Sequence, residues 1–211
     1  MDWSWIGAVS LFAIAMSATP GPNNTLLTAS GANYGLRRSV PHLSGVTMGV
    51  TAIMLAVAAL GAQIPDDPDI HFVLQGVGAV YLFWLAWKIA RATPAVPNAE
   101  TGQNPQGQAG PQGHPLTFMQ GALFQFVNPK LWAMVAGAVA AFGGAAQADH
   151  TLAVAVVLAL IFGLATFAST ILWILIGVGV GRFLRDERAL RIFNIGMAVL
   201  LVVSMLPMVL G

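Results

Sequence analysis

The sequence predicts an all-α polytopic membrane protein, and three observations predict it. Hydrophobic residues make up 57% of the 211-residue chain and charged residues only 8%, with a mean hydropathy of +0.76; a soluble domain needs roughly a quarter of its residues charged to cover its surface. The charges are gathered into short clusters between long uncharged stretches. Lysine and arginine occupy alternate connections between those stretches, as the positive-inside rule describes.

Each span needs roughly 20 apolar residues, and six stretches qualify: Ile6 to Ala32, Leu43 to Gln63, Ile70 to Ile89, Leu116 to Ala146, Leu152 to Val180 and Ile192 to Leu210. Arg37 and Arg38 follow the first, Lys88 and Arg91 close the third, and Arg182, Arg185, Arg188 and Arg191 separate the last two. All eight fall on one side, while Asp2, Asp66, Asp67, Asp69 and Asp149 fall on the other. Both termini are therefore expected outside the cytoplasm. Trp3, Trp5, Trp84 and Trp87 lie at span ends, as an aromatic belt would. The N-terminus lacks a basic region, and its apolar run outlasts that of a cleavable leader.

Composition also excludes chemistry. With no cysteine there is no disulfide, thiolate metal site or thiol nucleophile. Four histidines and eight acids, mostly in loops, argue against a metal cluster, and no cofactor is expected. The Arg182–Arg191 cluster suits anionic lipid headgroups rather than nucleic acid.

Thr93 to Pro115 contains five prolines, four glycines and four glutamines, the composition of a flexible linker. It divides the chain into a first three-helix half (1–92), a cytoplasmic linker (93–115) and a second three-helix half (116–211). With three spans in each half, the halves enter the membrane from opposite sides, so the expected architecture is an inverted repeat.

The first span of each half is too long and is interrupted. From Ser4 to Leu36, 33 residues carry no charge; as one helix they would run about 50 Å, against a core of about 30 Å. Pro20-Gly21-Pro22-Asn23 sits inside. Each proline lacks an amide donor and clashes with the carbonyl four residues earlier, at Met16 and Ala18. Span four carries Asn128-Pro129-Lys130, which frees the Gln125 carbonyl and is also good chemistry for restarting a helix.

A lone proline in a membrane helix more often marks a kink. Two polar breaks at corresponding positions of inverted halves point instead to a transporter binding site. Helices restarting at Pro22 and Pro129 turn their N-termini, with partial positive charge and free amides, toward the midplane. Lys130 adds a full charge, and an intramembrane charge marks function unless it serves as a structural tie. That set favours a carboxylate, and the freed carbonyls favour an ammonium, so the expected ligand is a zwitterion. The candidate substrate-binding residues are Pro20, Gly21, Pro22, Asn23, Asn24, Asn128, Pro129 and Lys130. Gly31, Gly35, Gly45 and Gly49 recur at four-residue spacing, as do Gly177 and Gly181. They read as helix-packing positions within the monomer, with a homodimer interface as the second reading. Asn33, Gln75 and Asn194 read either as interhelical hydrogen-bond formers or as residues at the lipid interface, and His42 as an interfacial residue able to titrate near neutral pH.

At these residues the chain resembles the LysE/RhtB superfamily of amino-acid exporters. The resemblance runs through Pro20-Gly21-Pro22-Asn23, the glycines Gly31, Gly35, Gly45 and Gly49, and Gly121 followed by Asn128-Pro129-Lys130. It implies export of amino acids or close derivatives from the cytoplasm across the inner membrane, driven by protons. Branches that export lysine or arginine carry acids where this chain has Gly49 and Met134, whereas Lys130 resembles the homoserine/threonine branch. The resemblance therefore implies a neutral substrate and leaves proton coupling without an obvious carboxylate carrier. Two competitors come from other classes. A channel for small zwitterions would use similar broken helices, and an intramembrane enzyme would need a pairing such as Ser17 with His42 that no motif supports.

Overall fold

The computed structural model describes residues 2–60, 76, 80, 83–91, 114–143, 151–184 and 187–203. Most of the expected third span, linker residues 93–113 and the end of the last span lie outside them. Helix is the regular structure throughout the described residues.

Helix α1 runs Trp3–Ala18. Asp2 caps it, accepting from the Trp5 amide at 2.8 Å and from Ser4 Oγ at 2.9 Å. The amide, followed by the hydroxyl, holds the Asp2 carboxyl below the ordinary carboxylate range. α2 runs Pro22–Ala59 but is two helical segments joined at Gly35, whose φ of 76° and ψ of 172° are non-helical. α3 (Phe118–Phe124) starts at a capping box of Thr117 and Gln120. A 3-10 turn, Gln125–Val127, and the extended Asn128 separate it from α4 (Pro129–Phe142). α5 is Thr151–Phe183 and α6 is Glu187–Val203. Residues 83–90 are also helical.

Gly35 corrects two expectations. A loop was expected between Ala32 and Leu43; the chain instead turns at one residue, whose positive φ an L side chain rarely adopts. Nor does Gly35 pack, since a Cβ there would meet nothing within 4 Å. Its carbonyl accepts from Ser39 Oγ at 2.9 Å, and Ser39 Oγ lies 2.7 Å from Ser30 Oγ, so hydroxyls staple the turn from both sides. Pro41 lies inside the restarted helix, past its first turn, and forgoes the bond an amide there would make to the Arg37 carbonyl.

The other three glycines of the series lie where helices touch. A Cβ on Gly31 would overlap the Ile174 carbonyl of α5, and one on Gly45 the Phe118 carbonyl of α3. At Gly49 it would lie 2.9 Å from the Ala122 carbonyl oxygen and 2.7 Å from Gln125 Cγ. Gly177 and Gly181 of α5 meet the backbone of Thr28 and Ala32 of α2 in return. These close approaches all fall within one chain. α2 thus packs against α5 over the most extensive helix contact, with α3 on another side. A reciprocal amide pair, Asn33 with Asn194 at 2.8 and 3.0 Å, ties α2 to α6.

Two cores result. One joins α1, the second segment of α2, α4 and α5 around Val46, Met54, Leu131, Val135, Leu158 and Phe162. The other joins the first segment of α2, residues 83–90, α3 and α6 around Leu26, Leu85, Phe124 and Leu201. The outer surface stays apolar: Leu11 and Ile14 of α1, Leu160 and Leu164 of α5, and Val199 and Leu200 of α6 are exposed. Soluble monomers rarely present so extended an apolar shell, and hydrocarbon is its natural solvent. By length and composition alone, α5 and α2 (taken across its break at Gly35) are apolar enough to cross a bilayer, whereas α1, α3 with its turn, and α4 are shorter apolar pieces.

Candidate substrate site at the broken helices

Both breaks lie where the sequence puts them. α1 stops at Ala18, Thr19 is extended, and α2 restarts with Gly21 as N-cap and Pro22 in its first turn. The second break has Asn128 as N-cap of α4 with Pro129 behind it. They meet at a cavity of about 30 Å³, room for a water or two but not for an amino acid.

Of the candidate residues, Gly21, Asn23, Asn24, Asn128 and Lys130 line this cavity. Pro20 is exposed, and Pro22 and Pro129 shape the helix starts without lining the space. Asn23 and Gln125 bind each other through both amide groups, at 2.9 and 3.0 Å, which clamps one break to the other. Gln125 is fully buried and also donates to the Gly121 carbonyl at 2.9 Å, while its Oε1 accepts from Asn128 Nδ2 at 3.3 Å.

The freed carbonyls differ from those expected. Met16 O takes the Thr19 hydroxyl at 2.9 Å, and Gln125 O takes the Asn128 amide at 3.3 Å. The carbonyls the break draws on for tertiary bonds are Ser17 and Thr19. Asn24 Nδ2 donates to both, at 2.9 and 2.7 Å. Ser169 Oγ of α5 also donates to Ser17 O, at 2.7 Å, and Lys130 Nζ donates to Thr19 O. Two of the three carbonyls expected to seat an ammonium, Met16 and Gln125, are thus already taken by protein donors. The reason is that a buried carbonyl without a partner is costly, and side chains were near enough to supply one.

Lys130 is therefore a tie and a cavity wall at once. An ammonium has three protons, and the Thr19 carbonyl uses one. Its stem lies over Gly21, where a Cβ would sit 2.6 Å from Lys130 Cδ and 3.2 Å from Nζ. Gly21 thus makes the space in which the lysine reaches the other break.

Residues not among the candidate substrate contacts complete the wall. Ser17, Thr166, Ser169 and Thr170 add hydroxyls, and Met16, Val50, Leu131 and Met134 add apolar surface. The Ser17 hydroxyl is buried with no hydrogen-bond partner. Thr170 donates to its own helix at Phe167 O, 2.9 Å away, leaving its oxygen lone pairs free to accept. A signal existed: Thr166, Ser169 and Thr170 stand at i, i+3 and i+4 on one face of an otherwise apolar helix. Of the two positions where cationic-substrate branches place acids, Met134 lines the cavity, while Gly49 packs on α3.

The LysE type translocator family model matches residues 14–207. A cysteine/O-acetylserine efflux protein of Klebsiella pneumoniae is 37% identical over 127 residues, 60% of this chain and 59% of that protein. Proteins of the same description from Escherichia coli K12 and Shigella flexneri are 32% identical over the same shares. The matched segment thus spans 59% of the length of these relatives. No solved structure matches the chain.

Proposed function

We propose that this chain, which belongs to the LysE-type translocator family, exports small neutral amino acids or their close derivatives across the cytoplasmic membrane. Relatives described as cysteine/O-acetylserine efflux proteins support that substrate class. The observation that carries the reading is the meeting of an uncapped helix N-terminus, at Gly21, with the Lys130 ammonium on one small cavity.

The substrate carboxylate takes the first free amides of α2 and the unused protons of Lys130. Its ammonium faces the hydroxyl oxygens of Ser17, Thr166 and Thr170. A small side chain lies against Val50, Leu131 and Met134, where the absence of an acid disfavours lysine or arginine. Because the cavity is too small for an amino acid, the described state must widen to admit one, toward each side in turn. The two halves form an inverted 3+3 repeat with both termini extracytoplasmic, and a proton gradient drives export. Cysteines introduced at Gln106 and Asp67 are expected to label from opposite sides of the membrane; labelling from the same side would rule out this topology.

The deciding experiment is counterflow of O-acetyl-L-serine, L-threonine and L-lysine in proteoliposomes, with binding and melting measured on Lys130→Ala. Neutral solutes are expected to exchange and lysine not. Lys130→Ala is expected to lose about 10- to 150-fold in affinity, the worth of one charge-assisted hydrogen bond. Lys130→Arg recovers part of it. Unchanged affinity in a folded Lys130→Ala protein would remove the carboxylate from this position.

A further inference from the structure

A second cavity, of about 220 Å³, lies between the first segment of α2, residues 83–91 and the chain at 114–116. It falls short of the roughly 300–1,000 Å³ of drug-sized pockets and so suits a metabolite. Asn24 borders the first cavity and Ser30 the second, about 9 Å apart along the helix. Lys88 and Arg91 place this cavity toward the side that the charge pattern predicts to be cytoplasmic.

Its buried wall holds His42, which is 1% exposed and has no hydrogen-bond partner at either ring nitrogen. Buried polar atoms without partners are exceptions in native proteins. The ring is held in place, with its Cδ2 3.1 Å from where a Cβ on Gly121 would stand. Other polar groups of the wall are already engaged. Ser30 is bonded to Ser39, Asn33 to Asn194 and Ala29 O, and His114 Nδ1 lies 3.0 Å from Pro115 O.

Lys88 and Arg91 also line the cavity. Lys88 Nζ stands 4.8 Å over the Trp84 ring and the Arg91 guanidinium 3.8 Å over Trp87. Among the described side chains the single carboxylate is Asp2, which caps α1. The described wall thus carries two cations, an unsatisfied imidazole and the half-buried Tyr34, with no acid to neutralise them.

We propose that this cavity is a second binding site, for a small carboxylate-bearing solute, held through its carboxylate by Lys88 and Arg91 and hydrogen-bonded to His42. That the occupant is the exported amino acid, bound on its loading side before it reaches the broken helices, rests on the function proposed above. The carboxylate chemistry rests on the wall alone. An anionic lipid headgroup is disfavoured because His42 is buried in the wall.

The test uses the full chain in phosphatidylcholine nanodiscs with ¹⁵N-labelled histidine, whose four imidazoles are few enough to resolve. His42→Asn assigns its signal; if that variant fails to fold, replacing His71, His114 and His150 with Gln leaves His42 alone. O-acetyl-L-serine and acetate are the probes. The His42 signal is expected to shift saturably with both, and to do so equally in Lys130→Ala, where the other site is disabled. Lys88→Gln combined with Arg91→Gln is expected to raise the midpoint at least about 10-fold. A His42 signal unmoved by both probes overturns the proposal, whatever the counterflow assay shows. If acetate moves it but the chain carries no O-acetyl-L-serine, this site stands and the transport reading falls. A shift produced by phosphatidylglycerol without added solute assigns the cavity to headgroups and overturns the proposal.

Discussion

The two helix breaks border one cavity, yet they finish differently. At Asn128 the helix brings its own cap, because the Asn128 side chain accepts from the Lys130 amide at 3.2 Å. At Gly21 no side chain caps α2. Both restart with proline, and both helices project partial positive charge. Only the Gly21 end leaves its amides to something outside the helix, and Lys130 leans across from the capped break to face the uncapped one. A helix end that supplies its own acceptor is closed to a ligand, and one that lacks an acceptor stays open.

The largest effect that would break this comparison comes from Gly21→Ala. A Cβ there meets the flexible stem of Lys130 rather than backbone, so the fold tolerates it by swinging the lysine away from Thr19. Affinity for a transported solute should fall about 10-fold, as one charge-assisted contact is worth, with melting little changed. Equilibrium binding beside a thermal melt checks this; a large loss of stability at normal affinity would mean the glycine serves packing alone.

Asn128→Ala should show the reverse pattern. Loss of the cap costs about 1 kcal/mol of stability, while affinity moves by less than about 3-fold because this end never used the ligand. Denaturation in mild detergent measures the first quantity and binding the second. A loss of affinity as great as that of Gly21→Ala would make the two breaks equivalent.

The smallest effect concerns the clamp between them. Asn23→Ala and Gln125→Ala each leave a partner amide short of its bonds, so a double-mutant cycle should return about 0.5–1.5 kcal/mol of coupling. A cycle that closes to zero would show the breaks to be independent.

Much of this was legible because its cause is local. A proline has no amide wherever it stands, so the interruptions at Pro20–Pro22 and Pro129 could be read directly, and asparagine before proline announced the cap at Asn128. Gly35 could not be read the same way. Its four-residue spacing from Gly31 matched a packing motif, but spacing does not reveal which glycine meets a neighbour and which bends the chain. The hydroxyl face of α5 was visible as a pattern without a destination.

By itself the sequence determined the membrane class, from apolar content and the scarcity of charge, and the positions of both breaks, from the covalent structure of proline. Tertiary structure decided which donors the broken ends received. Ser17 is bonded by Ser169, 152 residues away, and Thr19 by Lys130, 111 residues away. An unpaired carbonyl states a need that any nearby donor can meet. Which donor is near depends on how α5 and α4 pack against α1 and α2, and no local pattern records that.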